Sequence, residues 1–221
     1  MDKQKSVLML IGSPKSKRST SSSIADYLAV RLERAGLKAE VLKININMRT
    51  AEGRNLLLGS FDQADYILLI SPLYVDSLPA PVIKFMELVA ETDTKAPFNQ
   101  SFIAMINAGF PEAAHNRVAL AICRNFAGKV GLEWKGGLPI GMGGSISGAP
   151  LERLGGMVRK LTRALDLTVE AIVANKTLPE EAQLMAASPM MPHWFYRLAG
   201  NIGWNAQAKK NGVRARINDR S

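Results

Sequence analysis

Val7-Leu8-Met9-Leu10-Ile11 is an unbroken apolar run that stops at Gly12. A strand covered on both faces, as in the middle of a parallel sheet, has this pattern because neither side needs polar alternates. Apolar residues then return at roughly helical spacing at Ile24, Leu28, Val30, Leu32 and Ala35, and Gly36 supplies a helix stop. Ala39 to Ile44 predicts a second strand, and Asp65 to Ser71 a third, as apolar as the first and closed by Pro72. A helix is expected over 79–91, with proline tolerated in its first turn. Phe102 to Ile106 predicts the fourth strand, 112–126 a helix, and 133–140 contains the fifth strand; a long helix follows from about Leu151 to Asn175.

Five strands separated by helical stretches require crossover connections, which place a parallel sheet between helical layers. The expected fold is therefore a three-layer, doubly wound α/β domain of five parallel strands over residues 1–175. Periodicity does not carry the strand order. Residues 176–221 show no strand pattern and hold Pro179, Pro189 and Pro192, so they form a C-terminal extension.

Composition narrows the chemistry. The chain has 221 residues, 47% of them hydrophobic, which is ample for a packed core. Its single cysteine, Cys123, excludes a disulfide framework, a four-cysteine zinc site and a cysteine-ligated iron–sulfur cluster. Cys123 lies among Val118, Leu120 and Ile122 on a helical segment and reads as a small buried hydrophobe. His115 and His193 are far apart, so no metal site is expected, and His115 reads as a helix-surface residue. No apolar run reaches the roughly 18–20 residues that span a bilayer. The first apolar run leads into cations rather than a cleavage site, so no signal peptide is expected and the protein is placed in the cytoplasm.

The net charge of +9 is concentrated at the ends. Residues 1–18 carry five cations and one acid, +4, and residues 197–221 carry six cations and one acid, +5. Such a balance favours anionic partners without choosing among phosphorylated cofactors, nucleic acid and lipid.

Three segments at carboxyl ends of predicted strands fall where open α/β sheets bind ligands. The first, Gly12 to Ser23, is small, hydroxyl-rich and basic, and it opens a helix whose N-terminal N–H groups attract anions. It suits a terminal phosphate, although a solvated basic loop with helix caps has the same composition. It matches neither G-x-x-x-x-G-K-[ST] nor G-x-G-x-x-G. The second, Ser71 to Pro79, is a proline-stiffened loop with Tyr74 that offers a planar heterocycle an apolar edge; the plainer alternative is a loop whose Tyr74 covers the core. The third, Asn107-Ala108-Gly109-Phe110-Pro111, is small and taken alone reads as an ordinary strand-to-helix turn. Gly141 to Ser145, after the fifth strand, reads as a flexible connection rather than a wall of the site.

Taken together, GSPKSKRSTSS, SPLYVDSLPAPVIKFME and NAGFPE resemble the NAD(P)H-dependent FMN reductase family of the flavodoxin-like superfold, including the flavodoxin-like halves of iron–sulfur flavoproteins. The resemblance runs over about residues 5–175. It implies noncovalent FMN with its phosphate on Ser13, Lys15, Ser19, Thr20 and Ser21. The ring would rest on Pro72, Leu73, Tyr74, Val75, Asp76 and Ser77, with Asn107, Ala108 and Gly109 on the other side. Asp76 stays open between ring contact and capping of the next helix. The chain departs from the family where Lys15 replaces a frequent arginine, where Ser19-Thr20-Ser21 replaces an Asn-Thr pair, and in a first loop one residue longer. The cluster cysteines are absent, so no iron–sulfur cluster carries over.

The implied activity is hydride passage from NAD(P)H as co-substrate through FMN to a quinone, a flavin or a similar small acceptor, with no catalytic side-chain acid or base and no metal. A homodimer is expected. The alternatives are a non-enzymatic flavodoxin-type electron carrier, against which the positive charge weighs, or a nucleic-acid or membrane-surface module using the basic tail. Both tail partners are disfavoured, because no groove-binding motif is present and the cations cluster after the aromatics. Pro189 to Tyr196 is too apolar for a solvated end, so the tail is expected to dock on its own domain or on a partner subunit.

Overall fold

The computed structural model describes residues 4–15, 17–92 and 100–213. Strands β1 (Ser6–Ile11), β2 (Lys38–Lys43), β3 (Tyr66–Pro72), β4 (Ser101–Asn107) and β5 (Glu133–Ile140) form one sheet in the order β2-β1-β3-β4-β5. Every pairing is parallel. This is the flavodoxin-like arrangement, and its chain reverses direction of travel between β1 and β3. All five carboxyl ends therefore open on one edge.

The helices are α1 (Thr20–Arg34), α2 (Ile44–Asn47), α3 (Ala51–Gln63), α4 (Ala80–Glu91), α5 (Arg117–Val130), α6 (Gly143–Ile146), α7 (Arg159–Val173), α8 (Glu180–Ala187) and α9 (His193–Lys210). Side chains alternate across the sheet and feed two cores. Val7, Met9 and Ile11 face Ile24, Leu28 and Leu32 of α1 and Leu161 and Leu165 of α7. Leu8 and Leu10 face Leu57 and Phe61 of α3, Val82 and Phe85 of α4, and Cys123 of α5. Both faces of β1 are thus covered, which is why its sequence is a continuous apolar run. Edge strand β2 is half-exposed and charged, a pattern that discourages edge-to-edge pairing.

The structure departs from the periodicity in four places. Helix α3 supplies the crossover from β2 to β3, but it buries only Leu57 and Phe61, too few positions to register as an apolar stripe. Val30 is exposed, because two residues along a helix from Leu28 point to the opposite side. The helix expected over 112–126 starts at Arg117, after a tight 3-10 turn at Ala113–Asn116, and runs to Val130, where Gly131 closes it in a left-handed conformation. The helix expected from Leu151 is a 3-10 segment, Leu151–Val158, broken at Gly155; regular α7 begins at Arg159.

The first compact unit runs to Met190. It takes in α8, whose Ala182 and Ala186 join the core of α1 and α7, while Leu178 N–H donates to the Lys135 carbonyl at 2.7 Å. The second unit, Met191–Ser221, contains α9.

Cys123 is fully buried, and that burial pushes its thiol up from 9.0 to about 12. The unfolded chain therefore loses this proton first as pH rises, so the contribution of Cys123 to stability is present below about pH 9 and is lost between 9 and 12. At pH 8, a thiol-specific reagent is expected to react with Cys123 only at the rate of unfolding, and rapidly in denaturant. Fast labelling of the native protein would contradict this burial.

Candidate functional site

Gly12 hands β1 to the first loop against the neighbouring strand, its N–H donating to the Ile70 carbonyl at 2.9 Å. A Cβ at Gly12 would lie 2.6 Å from Ser71 Oγ and 2.8 Å from a Val82 methyl, so only glycine fits. The loop is held by Asn45, whose Nδ2 donates to the Pro14 carbonyl at 2.8 Å. Ser13 is buried, and its Oγ accepts from Lys15 N–H at 3.4 Å. Extended Ser19 caps α1, its Oγ accepting from Ser22 N–H at 3.1 Å. The first turn of α1 thus points its N–H groups toward the loop with no acidic residue in that turn.

Asn107, at the end of β4, ties the loops together. Its buried Nδ2 donates to Ser21 Oγ at 3.0 Å and to the Ser71 carbonyl at 2.9 Å. The Asn107 carbonyl accepts from Leu73 N–H at 2.9 Å, and the Ala108 carbonyl accepts from Gly143 N–H at 2.8 Å. Thr20 Oγ1 donates to the Gly143 carbonyl at 2.7 Å, which closes a ring of contacts around the edge.

In the second loop, Tyr74 and Ser77 exchange two backbone hydrogen bonds, at 2.8 and 3.0 Å. The two residues between them, Val75 and Asp76, have φ of 48° and 56°. A β-branched residue is strained there, and Val75 is also 98% exposed, so neither conformation nor burial accounts for valine at this tip.

These loops enclose a cavity of about 300 Å³. One side is lined by Ser13, Lys15, Ser19, Thr20 and Ser21, and the other by Pro72, Leu73, Tyr74, Asn107 and Gly109. A second hollow of about 450 Å³ adjoins it, sharing Leu73, Gly109 and Phe110 and adding Val75, Asp76, Ala108 and His115. Thirteen of the fourteen residues expected from the sequence line one or the other. The exception is Ser77, whose main chain holds Tyr74 in place.

Three wall segments were not anticipated. Phe110 borders both hollows, and Gly143-Gly144 and Ser147 close the cavity opposite the first loop. Gly141 to Ser145, expected to be a flexible connection, instead enters the single turn α6, with buried Met142 in a left-handed conformation before it. A Cβ at Gly143 would sit 3.0 Å from the Ala108 carbonyl, so that glycine permits a close approach of two loops. Its position at the carboxyl end of β5, on the same edge as the others, was the available signal. His115 is surface-exposed as expected, with Nε2 at 3.9 Å from Glu112 Oε2 and its ring 6.0 Å from that of Phe110, and it also lines the second hollow.

The donor set suits a phosphorylated planar ligand such as FMN. The cavity wall contains no Asp or Glu, while hydroxyls, one ammonium and a helix N-terminus converge on its polar side. The opposite side is proline, leucine and tyrosine, and Gly109 has no atom within 4 Å of its Cβ direction, which leaves open space for a ring. The ring contacts implied for Asp76 and Ser77 have less support: Asp76 faces the second hollow, and Ser77 lies outside both.

Replacing Asn107 with Ala is expected to destabilise the fold by about 1–3 kcal/mol, because it leaves the buried Ser71 carbonyl and Ser21 hydroxyl without their shared donor. Val75→Gly is expected to stabilise it by about 1 kcal/mol by relieving the left-handed valine. Denaturant titration of both variants checks the two signs.

Residues 6–133 match the family described as NADPH-dependent FMN reductase. A comparison with curated proteins finds no match. Among solved structures, the chain is similar to an FMN-dependent NADH-azoreductase from Bacillus anthracis in complex with FMN, at TM-score 0.59 and 10% identity over 77% of this chain and all of that one (100%). RosB with bound 8-demethyl-8-formylriboflavin-5'-phosphate aligns over 98% of this chain and 89% of its own at TM-score 0.57 and 13% identity. An NAD(P)H:quinone oxidoreductase from Methanothermobacter marburgensis aligns over 63% and 85%, at TM-score 0.53 and 17% identity. At such identities the structural likenesses speak for the fold, and it is the match over more than half of the chain that carries the assignment: this protein belongs to the NADPH-dependent FMN reductase family and is an FMN-dependent oxidoreductase with NAD(P)H as co-substrate.

Proposed function

We propose that FMN lies across the cavity, with its phosphate against Ser13, Lys15, Ser21 and the first turn of α1, and its ring between Pro72-Leu73-Tyr74 and Asn107-Ala108-Gly109. The observation that carries this reading is the carboxylate-free cavity in which one wall is cationic and hydroxyl-rich and the other apolar. Bound FMN supplies a two-electron relay between NAD(P)H and a small oxidised acceptor such as a quinone or a free flavin.

The residues have distinct duties in this scheme. Lys15 balances phosphate charge, and the N–H groups of α1 fix its position. Ser13 and Ser21 accept through oxygen from Lys15 N–H and Asn107 Nδ2, so each hydroxyl proton remains to be donated. Thr20 has given its proton to the Gly143 carbonyl and acts as a brace. Ser19 serves chiefly as the cap of α1. Tyr74 and Leu73 present an apolar edge that excludes water from one side of the ring. The adjoining hollow, with Phe110 and His115, gives NAD(P)H and the acceptor a place to bind in turn. Homodimer formation belongs to the same reading.

Calorimetric titration of the purified protein is expected to show FMN binding, and the complex is expected to oxidise NADPH when a quinone is supplied. Lys15→Glu and Ser13→Ala each remove a charge-assisted contact of about 1.5–3 kcal/mol, so each is expected to weaken FMN roughly 10- to 100-fold with the fold intact. Tyr74→Asp sets an anion beside the ring and is expected to lower both FMN affinity and turnover. FMN affinity unchanged in all three variants would place the flavin elsewhere.

A further inference from the structure

We propose that Asn45, which lines neither hollow, is the positioning residue for the phosphate end of the cavity, holding the Pro14–Lys15 peptide so that the Lys15 N–H faces a bound anion. The proposal rests on the reading of the cavity as an FMN site and adds a residue to it. Strands β1 and β2 pair with Ile11 opposite Lys43, so the segment after β2 runs beside the loop after β1. Asn45, buried at the second position of α2, donates from Nδ2 to the Pro14 carbonyl at 2.8 Å. A carbonyl can only accept, so this contact decides which way the amide faces. Its Oδ1 is then buried with no hydrogen-bond partner. A half-satisfied amide is a poor device for stabilising a fold, because a buried acceptor without a donor is destabilising. Pro14, by contrast, is only partly buried, so solvent can replace the Asn45 donor at its carbonyl. Stability therefore gives little reason for asparagine at this position. The direction in which it holds Pro14 does.

The proline makes that direction matter. Its ring fixes φ, so the orientation of the peptide that follows is left to a single rotation, ψ of Pro14. In a trans peptide the C=O and N–H point in opposite directions, and every peptide bond among the described residues is trans. With the Pro14 carbonyl drawn toward α2, the Lys15 N–H must point the other way, toward Ser13, whose Oγ accepts it at 3.4 Å. Ser13 and Lys15 both line the cavity. A contact of that length is a weak hydrogen bond, so the N–H is free to turn to a stronger acceptor such as a phosphate oxygen. Without Asn45, ψ can move between its α-like and extended wells, and part of the population would turn the N–H toward β2. The effect is confined to one end of the cavity. The loops at the apolar end are held by Asn107 and by the Tyr74–Ser77 pair, not by Asn45.

The test compares FMN with riboflavin, the same ring without the phosphate, by calorimetric titration of the full chain and of its Asn45→Ala and Asn45→Asp variants. Asn45→Ala is expected to weaken FMN at least about tenfold, the scale of one charge-assisted hydrogen bond, while riboflavin affinity changes less than about twofold. Asn45→Asp keeps the shape of the side chain but sets a carboxylate against the Pro14 carbonyl. It is expected to weaken FMN further and again to spare riboflavin, and it carries the comparison should the alanine variant not fold. Far-UV circular dichroism is expected to be retained, and the phosphorus-31 resonance of bound FMN to move toward that of free FMN. Unchanged FMN affinity or an unmoved phosphorus resonance overturns the proposal. So does an equal loss for FMN and riboflavin, which makes Asn45 a prop of the whole cavity. A parent that binds no FMN removes the reading of the cavity and this proposal together. FMN binding that is lost in Lys15→Glu yet kept in both Asn45 variants leaves that reading standing and overturns only the role of Asn45.

Discussion

A parallel strand cannot follow its neighbour without a crossover, and that single requirement organises this protein. Each crossover carries a helix over one face of the sheet, so both faces are buried and β1 and β3 become uninterrupted apolar runs. Because every strand points the same way, every strand-to-helix loop opens on the same edge. Between β1 and β3 the connections depart to opposite sides, which keeps that edge from being closed over. The cavity is a by-product of the winding, and the loop sequences give it its chemistry.

The loops use their polar groups economically. A serine-rich segment invites the view that each hydroxyl meets a ligand, but several already have structural duties. Ser19 caps a helix, Thr20 braces the loop after β5, and Ser23 donates to the Ser19 carbonyl at 3.2 Å. Buried hydroxyls left unsatisfied would each be costly, so the loop is shaped largely by its own hydrogen bonds. Such preorganisation lowers the entropy that a ligand must remove on binding.

What could be read from the chain follows from the range of the interactions involved. Val7–Ile11 and Asp65–Ser71 announced themselves because full burial leaves a local signature in composition. Helix α3 did not, since only Leu57 and Phe61 are buried, Leu58 packs partly against the core beside them and Leu56 is exposed, which blurs the period. The break at Gly155 also escaped, because a helical apolar pattern continues through it. At the site, loop residues at carboxyl ends of strands were legible through small side chains, hydroxyls and prolines. The role of Gly143 was not: it depends on contact with Ala108 and Thr20, more than thirty and more than a hundred residues away respectively, and no local pattern encodes such proximity.

Asn107 gives the site a property beyond its shape. One amide nitrogen holds Ser21, at the start of α1, and the carbonyl of Ser71, where β3 turns into the aromatic loop. The two ends of the cavity therefore share a single mechanical joint. A ligand that shifts the hydroxyl end alters the angle available at the apolar end through a path of two hydrogen bonds, without any domain having to move. A ligand that spans both ends should consequently be felt by the protein as one object rather than two, and such a ligand cut in half should bind more weakly than the division of its contacts would suggest.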